Sequence, residues 1–516
     1  MVLPRLVITG ASGFIGRHLL DAIKEDYQIF GLARRSQARS GAPVHPNITW
    51  FQVDIGDREP LDAVFRKIRE SGGAEVLIHL AAHYDFTGER HPEYFRTNID
   101  GQRNVLDLSR GLGLKRFIFS SSVAACRFPP SGGAITESTE PDGEHIYAIT
   151  KRLGEEMLAQ YRHDFPSCII RFAALFSNWC EYPPLFMFLS TWLSSAWNAR
   201  VLGGRGVSAI PYMHVRDVVS FFRTLLDRTH QLEPGEIVVA SPDGAVSHRQ
   251  LFDVATRIYF GKKRTPLLMP RPLCGPGIRA RDLFGRLTGE RPFERPWMAK
   301  YIDQSLTIDA RRTRERLGWA PRPRLEILNR MAFLVENLRS DPVEWNRRNR
   351  AAMKIVRLEP NLKIHWLLQR HEEEIAEDFH RRLLGPEGRE RFASYQRLDR
   401  EDVMWNVKLA LRHLMNAIRT GEKSIMAAYS ADLAEHRFNQ GYTADEVCAA
   451  WELLNWVCFK TLRKDRESDD LVPFLGQYIT TPLRFGCDTA QETFDELTET
   501  SARRARRTGV REPPQS

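Results

Sequence analysis

Short apolar runs alternate with longer stretches of mixed polarity over residues 1 to about 230. Five of the runs have the length and composition of buried strands, and they cover residues 6–9, 29–32, 76–79, 117–120 and 168–171. Each segment between them is long enough to hold a helix, and such alternation is typical of a parallel sheet with helices on both faces. The pattern predicts a Rossmann-type, doubly wound α/β fold.

The pattern changes near residue 340, beyond which strand signals almost vanish. A helical spacing connects the apolar positions Val403, Val407, Leu411, Leu414 and Ile418. The stretch from Thr443 to Glu446 has the capping-box pattern of a helix N-terminus. We therefore predict a first domain over residues 1–340, with its substrate part at about 172–335, and a separate all-α domain over 341–500. A disordered basic tail is expected over residues 501–516.

Composition excludes several classes of protein. Of the 516 residues, 42% are hydrophobic and 27% charged, as in ordinary globular proteins. No run approaches the ~20 apolar residues of a membrane span, and the N-terminus lacks the features of a signal peptide, so we expect a cytoplasmic protein. The seven cysteines include no CxxC pair, which argues against disulfides and a metal site. The net charge of +9 comes without a nucleic-acid-binding motif, so no nucleic acid partner is expected.

A glycine-rich segment, GASGFIG at positions 10–16, directly follows the first predicted strand and opens a helix. Glycines at such a place allow a tight turn, close approach of the backbone to a pyrophosphate and close helix packing. The N–H groups at the helix N-terminus then attract phosphate. The segment predicts a dinucleotide site formed by Gly10, Ser12, Gly13, Phe14, Ile15 and Gly16.

The G-x-x-G-x-x-G spacing and the sequence Gly-Phe-Ile-Gly resemble the extended branch of the short-chain dehydrogenase/reductase superfamily, which is NAD-dependent epimerase/dehydratase-like. Further motifs of that branch follow in order at 98–101, 214–217 and 309–321, so the resemblance covers residues 4 to about 335. It implies a homodimer. It also implies that the cofactor contacts residues beyond the glycine segment, namely Asp54, Ile55, Leu80, Ala81, Ala82 and Asn98.

The catalytic residues of that superfamily all have counterparts in this chain. Tyr147 and Lys151 form its YxxxK motif on one helix face, and Ser122 closes a strand 25 residues earlier. The resemblance implies that the Tyr147 hydroxyl exchanges a proton with the substrate oxygen, that Ser122 polarises this oxygen and that Lys151 binds the nicotinamide ribose. Since a neighbouring ammonium favours phenolate, we expect Lys151 to lower the pKa of Tyr147 from its ordinary value of about 10. A second YxxxK, Tyr259 to Lys263, is assigned to a helix end without chemistry.

Arg34 and Arg35 follow the second predicted strand, where relatives that prefer NAD usually have an acidic residue. Two arginines suit a 2′-phosphate, because guanidinium groups form charge-assisted hydrogen bonds with phosphate oxygens. We therefore predict that both arginines contact the cofactor and that the cofactor is NADP, with NAD as the alternative.

Two observations bear on the substrate. Ile210 occupies the position at which epimerase-like relatives have an arginine for the substrate diphosphate, although Arg205 or Arg216 can take its place. A concentration of aromatic residues between positions 172 and 197 favours a small carbonyl or alcohol substrate of apolar character. We predict that the substrate is contacted by Tyr84, Asp85, Val123 and Phe176.

Residues 437–447 resemble the helical, globin-like domains of bacterial stress-signalling and sensor proteins. We expect residues 341–500 to be a regulatory or interaction domain that binds a protein partner. Three functions stay open. The first is an NADP(H)-dependent oxidoreductase of a carbonyl or alcohol substrate, the second is a nucleotide-sugar epimerase or dehydratase with tightly bound NAD, and the third is an NADP(H)-sensing regulator that signals through the helical domain.

Overall fold

The computed structural model describes residues 3–288, 293–353, 360–465, 468 and 471–508. The chain divides into two compact units, residues 1–357 and 358–516, and each has a hydrophobic core of its own. No helix in these described ranges is long and apolar enough to cross a membrane.

The first unit is built on a seven-stranded sheet whose strands are all parallel in the described part of the chain. The strands are β1 (Arg5–Thr9), β2 (Gln28–Ala33), β3 (Ile48–Gln52), β4 (Val76–His79), β5 (Arg116–Ser122), β6 (Ser167–Phe172) and β11 (Glu236–Ala240). Their spatial order is β11-β6-β5-β4-β1-β2-β3. The order reverses between β1 and β4, and in doubly wound sheets ligands bind beyond the carboxyl ends of the strands at such a reversal.

The sheet is buried on both faces, which explains why its strands are continuous apolar runs in the sequence. In β1, Leu6 and Ile8 point into one core and Val7 points into the other. The first core is covered by α1 (Phe14–Ile23) and α8 (Val215–Asp227). The second is covered by α3 (Arg58–Glu70), α5 (Gln102–Ser109) and α6 (Ile146–Gln160).

Short strands and further helices complete the first unit. The strands pair as β7 (Ala174–Phe176) with β10 (Tyr212–His214), β9 (Ala209–Ile210) with β12 (Val246–Ser247), and β8 (Val201–Gly203) with β13 (Leu267–Met269). The other helices are α2 (Gln37–Ser40), α4 (Pro92–Phe95), α7 (Pro183–Trp192), α9 (His248–Phe260), α10 (Arg271–Thr288), α11 (Arg311–Leu317), α12 (Ile327–Ser340) and α13 (Pro342–Met353).

Five sheet strands coincide with the predicted runs, and β3 ends just before Asp54, where the family resemblance requires a strand. The edge strand β11 is absent from the sequence-based prediction. It lies beyond residue 230, where the regular alternation of apolar runs and longer polar stretches ends, so the pattern gave no reason to expect a strand there. Parallel pairing with β6, a contact between distant parts of the chain, makes it a strand.

The first unit extends past the predicted boundary at residue 340, because it includes helix α13. Trp345 on this helix is buried in the same cluster as Leu334 of α12 and Leu189 of α7. Asn349 donates to the Trp179 carbonyl oxygen at 2.8 Å, and its own side-chain oxygen accepts from the Glu181 N–H at 2.8 Å. These contacts fix α13 to the first unit.

The second unit is entirely helical in its described residues. Its helices are α14 (Pro360–Arg370), α15 (Glu372–Leu384), α16 (Arg400–Thr420), α17 (Ser424–Asn439), α18 (Ala444–Lys464), α19 (Val472–Leu475) and α20 (Thr481–Thr508). The predicted apolar stripe lies on α16, and all five of its members are buried. The predicted capping box is present at α18, where Thr443 and Glu446 bond each other's backbone N–H groups. The predicted α/β fold followed by an all-α domain is confirmed.

The basic tail differs from the prediction of disorder in its first half. Helix α20 continues to Thr508, eight residues into the predicted tail. Alanine and arginine have high helix propensities, so a segment rich in both extends a helix that is already formed. The rest of the predicted tail, residues 509–516, lies outside the described residues.

Candidate active site

The glycine segment forms a tight turn against the chain that follows β4. Gly10 has a φ of +69°, and a Cβ there would lie 2.7 Å from the Ala81 nitrogen. A Cβ on Gly16 would lie 2.6 Å from the Gly10 carbonyl oxygen, so this turn needs glycine at both places. Helix α1 begins directly after it, with Gly13 as N-cap, no side-chain cap and no acidic residue in its first turn. Such a helix end favours an anion.

A cavity of about 1080 Å³ adjoins this turn. The predicted cofactor residues that line it are Gly10, Gly13, Phe14, Ile15, Gly16, Leu80, Ala82 and Tyr147. Ser122 also lines the cavity, so a phosphate-binding helix end and two hydroxyl groups face one continuous space. This arrangement fits a nicotinamide dinucleotide, because residues at the uncapped start of α1 line the cavity and their N–H groups can bind a pyrophosphate.

Helix α6 and strand β5 bring the three predicted catalytic residues together. The Lys151 ammonium donates a 2.6 Å hydrogen bond to the carbonyl oxygen of Ser120 and lies 5.7 Å from the centre of the Tyr147 ring. Ser122 accepts a hydrogen bond from the N–H of Ala124 and contacts the Tyr147 side chain. The hydroxyl groups of Ser122 and Tyr147 can therefore meet one substrate oxygen.

Burial determines how this pair of ionisable groups titrates. It raises the pKa of Tyr147, although the contact with Ser122 acts in the opposite direction. It lowers the pKa of Lys151 to about 8, against the raising effect of Glu155. The expected lowering of the Tyr147 pKa by Lys151 is thus not observed, because loss of solvation of the phenolate dominates and the ammonium is directed at Ser120.

A buried ion pair lies one helical turn beyond Lys151, and the sequence analysis did not identify it. Arg171 donates to both carboxylate oxygens of Glu155, at 3.1 and 2.7 Å. The Ser121 hydroxyl donates to the same carboxylate at 2.5 Å. The i, i+4 spacing places Glu155 on the helix face of Lys151, but nothing in the sequence pairs Glu155 with Arg171. Because Ser121 lies between Ser120 and Ser122, this network fixes the strand end that carries both.

Asn98 connects the chain after β4 with helix α6. Its side-chain oxygen accepts from the His83 N–H at 2.6 Å, and its amide donates to the His83 carbonyl oxygen at 2.9 Å and to the Thr150 hydroxyl at 3.0 Å. Asn98 is buried and does not line the cavity among the described residues. Its contacts indicate that it positions the segment around Leu80 and Ala82 rather than touching a ligand.

The predicted adenine-side residues lie around the ends of β2 and β3. Arg35 donates to the Ser12 carbonyl oxygen at 2.8 Å and so stabilises the glycine segment. Arg34 lies 4.0 Å from Glu93 and remains about one-third exposed. Asp54 accepts from the Gly56 N–H at 2.8 Å, and the next residue, Ile55, is buried. Of these residues, Arg34 keeps the freedom to turn toward a phosphate.

The remaining lining of the cavity is largely apolar. Tyr84 and Val123 line it as predicted, and the Tyr84 ring lies 4.1 Å from that of Tyr147, centre to centre. Aromatic and sulfur-containing residues contribute much of the rest: Phe86, Phe172, Tyr182, Met187, Phe188, Trp192, Trp197, Phe293, Trp297, Met298 and Tyr301. Several come from residues 293–301, distant in sequence from the motifs, and therefore escaped sequence reasoning.

Asp85 and Phe176, also predicted to touch substrate, lie elsewhere. Asp85 accepts from the Thr87 N–H at 3.0 Å and is bonded to the Tyr94 hydroxyl, so it stabilises the local turn. Phe176 is fully buried and packs edge-on against His214, 5.1 Å away. Neither residue is among those that line the described cavity.

His145 is a cavity-lining residue that the sequence analysis missed. Its Nδ1 accepts from the Ala148 N–H at 3.2 Å, which caps helix α6 directly before Tyr147. Its ring stacks on Trp297 at 5.7 Å. Burial lowers the pKa of His145 to about 4, so the ring is neutral at ordinary pH and keeps its capping role.

Cations at the cavity are engaged with carboxylates. Lys300 lies 2.8 Å from Glu144, and Arg127 lies 3.1 Å from the same residue. Arg281 lies 3.5 Å from Glu294. Arg205 and Arg216, considered above as alternatives for binding a diphosphate, do not line the described cavity. A diphosphate in the substrate part would compete with these carboxylates for the cations.

Comparison with known proteins gives a consistent picture for the first unit. Residues 6–241 match the sequence model of the NAD dependent epimerase/dehydratase family. A ceramide reductase of Caulobacter vibrioides is 36% identical over 172 residues, which are 32% of this chain and 44% of that protein. A UDP-glucose 4-epimerase of Streptococcus mutans is 31% identical over 30% of this chain and 46% of that protein. The chain thus spans less than half the length of these two relatives.

Solved structures support the fold. The UDP-glucose 4-epimerase of Thermotoga maritima, solved with UDP-glucose, superposes with a TM-score of 0.50 at 21% identity. The match covers 65% of this chain and 99% of that one. At this level of identity the similarity establishes the shared architecture of the first unit.

Proposed function

We propose, from the match of residues 6–241 to the sequence model of the NAD dependent epimerase/dehydratase family, that the first unit is an oxidoreductase that transfers hydride between a nicotinamide dinucleotide and an alcohol or carbonyl carbon. The observation that carries the proposal is the shared cavity, which places Ser122 and Tyr147 in one space with the glycine turn. When bound, the nicotinamide supplies the hydride donor or acceptor.

The chain's own residues have distinct tasks in this proposal. The Tyr147 hydroxyl holds the proton that moves to or from the substrate oxygen, and the Ser122 hydroxyl donates a hydrogen bond to that oxygen. Lys151, held near Tyr147 by the Ser120 carbonyl, contributes positive charge when protonated. Its pKa of about 8 makes that charge dependent on pH near neutrality. The resemblance also assigns it the ribose.

The apolar lining favours a substrate of apolar character around the reacting carbon. Aromatic rings such as Tyr84, Phe188 and Trp297 offer contact area and few hydrogen bonds, so an apolar carbonyl or alcohol gains most from binding. The ceramide reductase name of one relative agrees with this chemistry. NADP is the proposed cofactor, because Arg34 lies at the end of β2 with part of its side chain exposed.

A nucleotide sugar is the second candidate, since several similar proteins bear epimerase or dehydratase names. The cations at the cavity already pair with Glu144 and Glu294, and this disfavours a nucleotide sugar, because a diphosphate without a cationic partner is costly to bury. Tightly held NAD that survives purification would favour this second candidate.

The test is a turnover assay on the purified full chain after titration with NADP and NAD. We expect cofactor-dependent turnover of apolar ketones or alcohols, and none of UDP-glucose. Tyr147→Phe should lower the rate by a factor of about 100 or more while nucleotide binding persists. Tyr259→Phe, in the second YxxxK on α9, is the matched control and should leave the rate unchanged. Binding of neither nucleotide would contradict the proposal.

A further inference from the structure

The segment of the first unit that contains β13 and α10 carries exposed apolar side chains and unpaired positive charge. The exposed fractions are 82% for Trp197, 54% for Leu267, 43% for Leu268, 59% for Leu273, 62% for Leu283 and 67% for Phe284. Five of the six lie between residues 267 and 284, on β13 and α10. Trp197 precedes β8, and the chain there is held beside β13. Strand β8 pairs with β13, and Arg200 donates to the Thr265 carbonyl oxygen at 2.8 Å. We call these side chains, together with the basic residues of the same segment, the apolar–basic surface.

The same segment is strongly basic. Residues 257–281 contain seven lysines and arginines and no aspartate or glutamate. Lys263 and Arg281 are paired with Asp253 and Glu294. In the described part of the chain, the others with exposed or half-exposed side chains and no carboxylate at ion-pair distance include Lys262, Arg264, Arg271 and Arg279. The surface therefore combines water-exposed hydrocarbon with positive charge that the protein does not neutralise.

Helix α10 connects this surface with the cavity. Cys274, Gly277, Ile278 and Arg281 recur at helical spacing and line the cavity. Leu273 and Leu283, which belong to other faces of the same helix, are exposed. Met269 of β13 and Trp197 also line the cavity. Trp197 is thus both exposed on the surface and part of the cavity lining.

We infer that the apolar–basic surface docks this protein on the surface of an anionic lipid membrane, with the cavity opening toward the bilayer. Leucine, phenylalanine and tryptophan insert among the lipid chains at the interface, and lysine and arginine contact anionic headgroups. Charge complementarity selects this occupant over a second copy of the chain, which would bring two positive surfaces together. Lipid binding does not depend on the proposed reaction, so the two can fail separately.

The test is sedimentation of the full chain with vesicles of pure phosphatidylcholine and with vesicles containing phosphatidylglycerol. We expect binding to the anionic vesicles that weakens at high salt. Arg271→Gln with Arg279→Gln should weaken it about 30-fold, since each basic residue near such a surface contributes a factor of about five. Leu273→Gln with Leu283→Gln should weaken it at least about tenfold, because inserted methylene groups are lost.

Control variants remove the same kinds of side chain elsewhere in the first unit. Lys67→Gln with Arg312→Gln removes two exposed cations, and Val343→Gln removes an apolar side chain that is 78% exposed; each should bind as the wild type does. Nucleotide titration checks that every variant keeps the dinucleotide site. No binding to anionic vesicles, or equal loss in the controls, would overturn the inference. The inference would also be overturned if the protein did not bind vesicles and light scattering showed instead that it self-associates, with the self-association lost in the surface variants.

Discussion

Arg171 and Glu155 form a two-bonded ion pair, with distances of 3.1 and 2.7 Å, in the interior directly behind the strand end that carries Ser122. Arg171 also donates to the Thr139 carbonyl oxygen, and Ser121 shares the carboxylate. A buried pair of this kind fixes geometry more than it adds stability, because the cost of removing both charges from water offsets most of their attraction. Removing only one partner is costly, because it leaves the other charge buried and uncompensated.

Removing both partners should therefore cost less than the sum of the costs of removing each one alone. We expect Arg171→Met and Glu155→Met each to lower the free energy of unfolding by about 3–5 kcal/mol, and the double variant to lose clearly less than their sum. Urea unfolding measures all three. The exposed pair Arg110 and Asp164, which has the same two-bonded geometry at 3.0 Å, is the control and should show a coupling energy below about 1 kcal/mol. Additive losses at Arg171 and Glu155 would contradict the network.

Lys151 gives a pH dependence of stability with a definite sign. Its pKa is about 8 in the folded protein and 10.5 when exposed, so between these values the unfolded chain binds more protons. The free energy of unfolding that Lys151 contributes must then rise with pH across this window. The difference between wild type and Lys151→Met should increase by about 2 kcal/mol from pH 7.5 to pH 10, measured by denaturant unfolding at each pH. A flat or falling difference would show that the ammonium is not desolvated.

The close approach of Gly10 to Ala81 predicts a specific loss. Gly10→Ala should lower affinity for either dinucleotide more than tenfold, because its Cβ would overlap the Ala81 nitrogen and displace the turn. Gly113→Ala is the control, since Gly113 also has a positive φ but no heavy atom within 4 Å of a built Cβ. It should cost about 1 kcal/mol of stability and leave nucleotide affinity unchanged. Calorimetric titration measures both.

Arg34 decides between the two cofactors. Arg34→Ala should lower the affinity for NADP about tenfold or more, because a charge-assisted phosphate contact is lost, while affinity for NAD stays the same. The comparison of the two nucleotides on one variant is its own control for folding. A parallel loss for NAD and NADP would place Arg34 on the shared part of the cofactor instead.

The parts of the site that follow local rules were predictable. The glycine turn and the pair of Tyr147 and Lys151 each depend on a few neighbouring residues, as does the capping box at Thr443 in the second unit. The ion pair of Arg171 with Glu155 joins a strand to a helix, and its sequence positions carry no mutual signal. The pKa of Tyr147 was predicted in the wrong direction, because a sequence shows the charge nearby but not the loss of solvent.

Local rules also failed at the substrate side. Phe176 was chosen from the aromatic-rich stretch 172–197 and Asp85 for its place shortly after Ala82, yet Phe176 is core and Asp85 stabilises a turn. The lining residues Phe293 and Trp297 arrive from a segment without any motif. Their role follows from tertiary packing, which one sequence does not display.

Because α13 is attached to the first unit, the position at which the chain is cut decides whether the first unit keeps its core intact. A chain ended at Ser340 would lose Trp345, and the apolar socket between α7 and α12 would stand open to water. The burial of a side chain of this size contributes about 5 kcal/mol, a large part of the stability of an ordinary domain. A first unit that folds separately therefore has to keep residues through Met353, since the helix that the sequence assigns to the second domain completes the core of the first unit.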